Sequence, residues 1–130
     1  MLVYVAHPVA GDVQANLARA KQWLRWLYDE LPEVTFVAHW LIDIEILDDA
    51  NPAHRELGLW HDQDIIARCD AVLVLGPAQA AAGSRGIARE IRVAGQAGVP
   101  VVIATDRAPV PHAAIFIHDA LVAAMEKRRT

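Results

Sequence analysis

Apolar residues along the chain fall into two patterns that alternate. Four short runs, at 2–6, 34–38, 71–75 and 99–104, are almost wholly apolar and rich in β-branched residues. Bounded by Pro, Gly, Asp or His, they read as strands buried on both faces. Between and after them the apolar spacing shifts to three and four residues, which predicts helices over 13–31, 55–69, 85–97 and 111–127. In the first helix Leu17, Ala20, Leu24, Leu27 and Leu31 form the core stripe. Trp26 falls about 140° from the centre of that stripe at ~100° per residue. That places it outward, either as a lone surface aromatic or as the mark of an interface.

Strands that alternate with helices build βαβ units, hence a parallel sheet with helices on both faces. Right-handed crossovers leave few arrangements for four such strands, and the expected order is 2-1-3-4. The fold class is therefore α/β: a flavodoxin/Rossmann-like three-layer α/β/α architecture. In such sheets ligands bind beyond the C-terminal ends of the strands where the winding reverses, here between the first and third strands. The loops concerned are 7–12 and 76–84, both rich in Gly and Pro and both leading into a helix. The stretch 40–54 follows the second strand and carries Asp43, Glu45, Asp48 and Asp49. It reads either as a solvated acidic loop or as a lid over the same edge.

Composition narrows the class of function. The 130 residues are 55% hydrophobic and 22% charged, which fits one globular domain over 1–130 and excludes intrinsic disorder. One cysteine, Cys69, leaves no intramolecular disulfide and no thiolate metal cluster, and core packing is its expected role. No apolar run reaches the roughly 18 residues of a membrane span, and the opening Met1-Leu2-Val3-Tyr4 lacks the basic start of a signal peptide. The expectation is a cytoplasmic protein without a membrane partner. A net charge of −4 argues against nucleic acid. The basic Lys127-Arg128-Arg129 end reads as a helix C-terminus that favours cations.

Candidate chemistry concentrates in a few places. Gly83-Ser84-Arg85-Gly86 opens the third helix: Ser84 suits an N-cap, the free backbone N–H groups suit an anion, and Arg85 adds a charge. Neither a dinucleotide fingerprint nor a Walker loop is present, so no cofactor is expected. Glu90 has Gly86, Ile87, Val93 and Ala94 as its helical neighbours and no basic partner among them. With Ile87, Ile91 and Ala94 as the buried stripe, Glu90 falls on its edge. It is either a glutamate paired elsewhere or exposed, or a carboxylate aimed into the cleft. His61, Asp62 and Asp64 lie on the second helix, with His54 seven residues before His61. His61 and Asp62 point in different directions on a helix, so no metal site is expected from them. Trp40, after the second strand, either stacks on a ligand or packs in the core.

Three segments together resemble the nucleoside 2-deoxyribosyltransferase-like superfamily, most closely its small bacterial and phage domains. The first is Val3-Tyr4-Val5-Ala6-His7-Pro8-Val9-Ala10-Gly11. The second is Asp62, eight residues before Asp70. The third is Cys69-Asp70-Ala71-Val72-Leu73-Val74-Leu75-Gly76 followed by Ser84-Arg85-Gly86-Ile87-Ala88-Arg89-Glu90. The likeness spans roughly residues 2–104, and the spacing from Ser84 to Glu90 is its most specific part.

The resemblance implies an N-glycosidic bond cleaved or transferred on a nucleoside or nucleoside 5′-monophosphate. Glu90 would be the nucleophile, Tyr4 would orient it, and Asp62 would bind and protonate the departing base. His7, Pro8, Gly11, Trp40, Ser84, Arg85 and Gly86 are the implied substrate-binding residues. A serine at position 84, rather than an aspartate, points to a 5′-monophosphate, since an aspartate there would repel phosphate. His7 departs from the glycine usual in the enzymes, and nothing after Thr105 matches their C-terminal segment. The resemblance also implies a homodimer or larger homo-oligomer. A non-catalytic nucleotide-binding module on the same fold, or an interaction protein, remains open beside the enzyme reading.

Overall fold

A computed structural model of the chain describes residues 1–129. Its elements run β1 (Leu2–Ala6), α1 (Val13–Glu30), β2 (Thr35–Val37), α2 (Trp40–Ile46), α3 (Pro52–Arg68), β3 (Ala71–Val74), α4 (Ala78–Ala82), α5 (Arg85–Ala97), β4 (Val101–Ile103) and α6 (Pro111–Arg129). The four strands form one sheet, every pairing parallel, in the order β2-β1-β3-β4. The register aligns Tyr4 with Val37 on one side and Val72 on the other, so β1 and β3 occupy the centre.

The period-2 alternation of the strands sorts the core into two halves. Val3, Val5, Ala71 and Leu73 face α1 and α6, where Trp23, Leu24, Leu27, Ile117 and Leu121 cover them. Tyr4, Ala6, Val72 and Val74 face the other way, against Ile66 of α3 and Ile87, Val93 and Ala94 of α5. This division follows from the strand order. The chain winds outward from β1 to β2 and then returns to wind the other way through β3 and β4. With right-handed crossovers, α1 and the pair α3–α5 must lie on opposite faces. The reversal falls between β1 and β3, as expected.

The stretch 40–54 is not a loop. Trp40–Ile46 is helical, anchored by Trp40, which is buried and whose indole Nε1 donates to the Val5 carbonyl at 2.9 Å. Helix α3 starts at Pro52, three residues earlier than expected. Asn51 caps it, accepting from Ala53 N at 3.0 Å, and Pro52 occupies the first turn, where its missing N–H costs nothing. The segment 76–84 likewise contains the short helix α4.

Trp26 is not a lone outward aromatic. Trp23 is buried and widens the stripe of α1, and Trp26 packs edge-on against it with ring centroids 5.6 Å apart. Cys69 is buried at the C-cap of α3, as expected of a packing residue. At the C-terminal end Arg128 donates to the Cys69 and Asp70 carbonyls, tying α6 to the start of β3. The side chain of Arg129 lies outside the described residues. Among the described residues no helix is long and apolar enough to cross a membrane.

Leu73 is fully buried at the centre of the sheet, with no solvent-facing side into which neighbours can relax. Leu73→Ala should therefore cost about 2–5 kcal/mol of stability, seen as a lower urea midpoint with an unchanged slope.

Candidate functional site

The side chain of Tyr4 leaves the central strand on the face covered by α3 and α5 and is wholly buried. Two carboxyl groups meet it there, Asp62 from α3 and Glu90 from α5. Tyr4 interacts with both, and the two carboxyls interact with each other. Glu90 reaches this spot because the buried stripe of α5 runs through Ile87, Val93 and Ala94, while Ile91, expected to be buried, is 37% exposed. Glu90 stands three residues after Ile87 and four before Ala94, so it lies within the stripe rather than on its edge. It has no basic partner on its own helix.

Burial dominates the electrostatics. It pushes the Glu90 carboxyl up to about 8 from an ordinary 4.5; Tyr4 partly opposes the shift and the nearby Asp62 adds to it. Burial likewise raises Asp62 to about 6. There Tyr4 lowers it, Asp43 raises it, and His39 and His61 lower it. The Tyr4 hydroxyl is raised well above its usual range by burial and by the two carboxyls, so it stays protonated. In the window between about 6 and about 8 the two carboxyls hold one proton between them.

The polar atoms here are incompletely satisfied. Among the described residues no hydrogen bond of ordinary geometry closes on Tyr4 Oη, Asp62 Oδ1 or His7 Nε2, although all three are out of contact with solvent. Unmatched buried polar atoms are costly in a structural core and gather at sites meant for a ligand. Asp62 stands between two cavities. One, of about 40 Å³, also has Glu90, Gly86 and Ile66 on its walls. The other is a cleft of about 440 Å³ between α2, α3 and the loop after β1, walled by Val9, Trp40, Leu47, Leu59 and Asp62. Trp40 is thus both things at once, a core residue held by its indole N–H and a wall of the cleft.

His7 is buried, and its Nδ1 lies 2.8 Å from the Pro8 carbonyl oxygen. That oxygen can only accept, so Nδ1 carries the proton and Nε2 is left as an acceptor. Burial lowers the pKa of the ring, which keeps it neutral. Gly76, with φ +96°, holds β3's end against this loop: a Cβ there would come within 2.8 Å of Pro8 Cδ and 3.2 Å of His7 Nε2. Ser84 caps α5, its Oγ accepting from Ile87 N at 3.2 Å.

The structure therefore brings Tyr4, Asp62 and Glu90 together, with Trp40 across the cleft from Asp62. Ser84 and Arg85 line neither cavity; Arg85 is exposed, and of that turn only Gly86 borders the space beside Glu90. Gly11 is exposed, with φ +95°.

A family model described as "Domain of unknown function (DUF7768)" matches residues 1–104. The chain belongs to that family. The match takes in β1 through β4 and so every residue of the site. No curated protein matches the chain. Among solved structures, a 2-deoxyribosyltransferase from the psychrotolerant bacterium Bacillus psychrosaccharolyticus matches with a TM-score of 0.63 and 17% identity. The match covers 81% of this chain and 72% of the other. At that identity the likeness establishes a shared three-layer α/β fold.

Sequence reasoning missed one grouping in the DUF7768 chain. His39, the N-cap of α2, and His61 of α3 converge on Asp43, one turn into α2, which is the one of the three on the wall of the cleft. The expectation that ligand-type residues do not converge rested on His54, His61 and Asp62 alone. The four-residue spacing of His39 and Asp43 was the available signal, hidden because that stretch did not read as helical.

The raised pKa of Glu90 makes a prediction about stability. Its folded value lies above its unfolded value, so between pH 4.5 and about 8 the native state holds a proton that the unfolded chain has released. Its contribution is present below pH 4.5 and is lost as pH rises towards 8. Glu90→Gln removes this dependence. In urea titrations the substitution should become more stabilising relative to the parent at each step from pH 5 to 8. A stability difference independent of pH would show that the carboxyl is ordinary.

Proposed function

We propose that the chain cleaves or transfers the N-glycosidic bond of a nucleoside or nucleoside 5′-monophosphate, with Glu90 as nucleophile, Asp62 as acid and Tyr4 as the group that positions them. The observation that carries this reading is the convergence of two carboxyls and a phenol, from three separate elements, at one buried spot bordering a cleft. Such a pair, holding one proton, has what glycosyl transfer requires: an ionised carboxylate for the anomeric carbon and a protonated one for the leaving group.

The step balances as follows. A Glu90 carboxylate oxygen bonds to C1′ as the C1′–N bond breaks, and the departing base takes the proton of Asp62. Water or a second base then attacks C1′, gives its proton to Asp62 and frees Glu90. In the resting pair the proton favours Glu90, the more basic of the two. The positive charge that develops at the anomeric centre favours ionised Glu90 and so shifts the proton to Asp62. The tyrosine hydroxyl, buried between them, orients both carboxyls by donating to the ionised one. The acceptor decides the class: water makes a hydrolase, another base a transferase.

Phosphate recognition would fall to the first turn of α5. Its backbone N–H groups, the hydroxyl hydrogen of Ser84 and the exposed Arg85 guanidinium suit an anion, and Gly86 links that turn to the space beside Glu90. Trp40 offers an apolar wall for the base and Val9 of the loop after β1 adds to it, whereas His7, Pro8 and Gly11 of that loop line neither cavity. Homo-oligomerisation belongs to the same proposal, but Trp26 does not carry it, since that ring is engaged by Trp23.

One observation favours a second reading. The 440 Å³ cleft has Asp62 on its wall but not Glu90. A nucleotide seated wholly there would meet the acid without the nucleophile, as in a non-catalytic nucleotide-binding module.

A base-release assay across nucleosides and their 5′-monophosphates separates the two. Under the catalytic reading free base appears, Glu90→Ala lowers the rate by on the order of 10³-fold or more, and Asp62→Asn lowers it by roughly 10²–10⁴-fold. The dependence of kcat/KM on pH should be bell-shaped, with its maximum between about 6 and about 8. Nucleotide binding that raises the Tm of parent and Glu90→Ala alike, with no base released from any substrate, would establish the binding module instead.

A further inference from the structure

We propose that His39, Asp43 and His61 form a binding site for one divalent transition-metal ion, of which Zn²⁺ is the type, at the wall of the cleft beside Asp62. The inference is independent of any glycosyl-transfer activity.

The three side chains present a convergent donor set. His39 Nε2 lies 3.3 Å from Asp43 Oδ1, and His61 Nδ1 lies 3.1 Å from both carboxylate oxygens of Asp43. The two imidazoles meet edge to face, with ring centroids 5.3 Å apart. Donor atoms bound at about 2.0–2.1 Å to one tetrahedral ion stand roughly 3.3 Å from each other. The two imidazole–carboxylate separations already match this, and all the donor atoms lie within 4.8 Å of one another. Two neutral imidazoles and a carboxylate suit zinc and its transition-metal neighbours, whereas magnesium and calcium demand oxygen donors.

Local structure holds the set in place. His39, the N-cap of α2, and Asp43 are one turn apart, and that helix is already anchored to the sheet by the hydrogen bond from Trp40 to Val5. Packing α2 on α3 would need at most one imidazole against Asp43. A second imidazole reaches the same Oδ1 atom, so both rings already face the point that an ion would occupy. Exposure fits entry of an ion from solvent. Asp43, at the centre, is 12% exposed, while the histidines on either side are 35% and 36% exposed.

Three protein ligands leave at least one position of a tetrahedral ion for water or for a group bound in the cleft, as in zinc sites that act on a ligand. Asp62 is close enough for Asp43, His39 and His61 all to affect its ionisation, and its Oδ1 has no hydrogen-bond partner among the described residues. An ion-bound water would supply a donor in its neighbourhood.

The test uses the whole chain, stripped with a chelator and titrated with Zn²⁺ by calorimetry. One ion should bind per chain. Asp43→Asn and His61→Ala should each weaken binding by at least roughly tenfold, the lower bound for losing even a residue that supports a metal ligand. His112→Ala, an exposed position at the start of α6, should leave it unchanged. No uptake, or uptake that neither cleft substitution weakens, overturns the proposal. Because either substitution may disturb the packing of α2, Co²⁺ is added in parallel to the unaltered chain. Intense visible absorption of four-coordinate cobalt, abolished by one equivalent of Zn²⁺, supports the site; only the faint bands of six-coordinate cobalt overturn it.

Discussion

The meeting of two half-buried carboxyl groups at a buried tyrosine on the central strand is the constraint around which the rest of the molecule is organised. Ionised carboxylates without partners do not persist in a core; they pair, titrate or await a ligand. Among the described residues Glu90 shows no basic partner, and Asp62 has only the influence of His39 and His61. The cost is met partly by protonation and partly by the closeness of Tyr4. That arrangement requires a strand at the centre of the sheet, to place Tyr4 out of reach of water, and two helices packed on the same face. The doubly wound order supplies both, because the reversal between β1 and β3 sends α3 and α5 to the side of the sheet on which Tyr4 projects.

Two spaces meet at Asp62, and they differ in character. The smaller belongs to Glu90 and the first turn of α5. The larger lies under α2 and is mainly apolar, with Val9, Trp40, Leu47 and Leu59 on its walls. A flat heteroaromatic group suits the second space and a polar, charged group suits the border of the first. Helix α2 governs the larger space, since it supplies Trp40 and Ile44 to the wall and Asp43 to the histidine pair.

Much of this was legible in the residue pattern. The strands are short, β-branched and flanked by breakers, and their alternation with helices leaves little freedom in topology; α5 matches its expected limits, from the Ser84 cap to Gly98. Glu90 stood out because its own helix offers it no partner, and the structure moves it from the edge of the buried stripe into it. What escaped was set by contacts distant in sequence. The stretch 40–54 carries acidic residues at intervals that mask a helix, and only the Trp40 anchor to Val5 shows why it folds. Trp26 was misplaced because the stripe of α1 was drawn without Trp23, a residue whose burial depends on the packing of α6. His39 and His61 come together only through the packing of α2 on α3, which no local spacing encodes.

The central claim is that Glu90 is a nucleophile and not merely a buried acid. Chemical quench of single turnovers with a nucleoside 5′-monophosphate, followed by intact-mass and peptide analysis, tests it most directly. The account predicts a transient adduct of the sugar phosphate on the peptide that contains Glu90, formed as base is released and absent from Glu90→Ala. Base release with no adduct at any quench time, or an adduct on another residue, would contradict it.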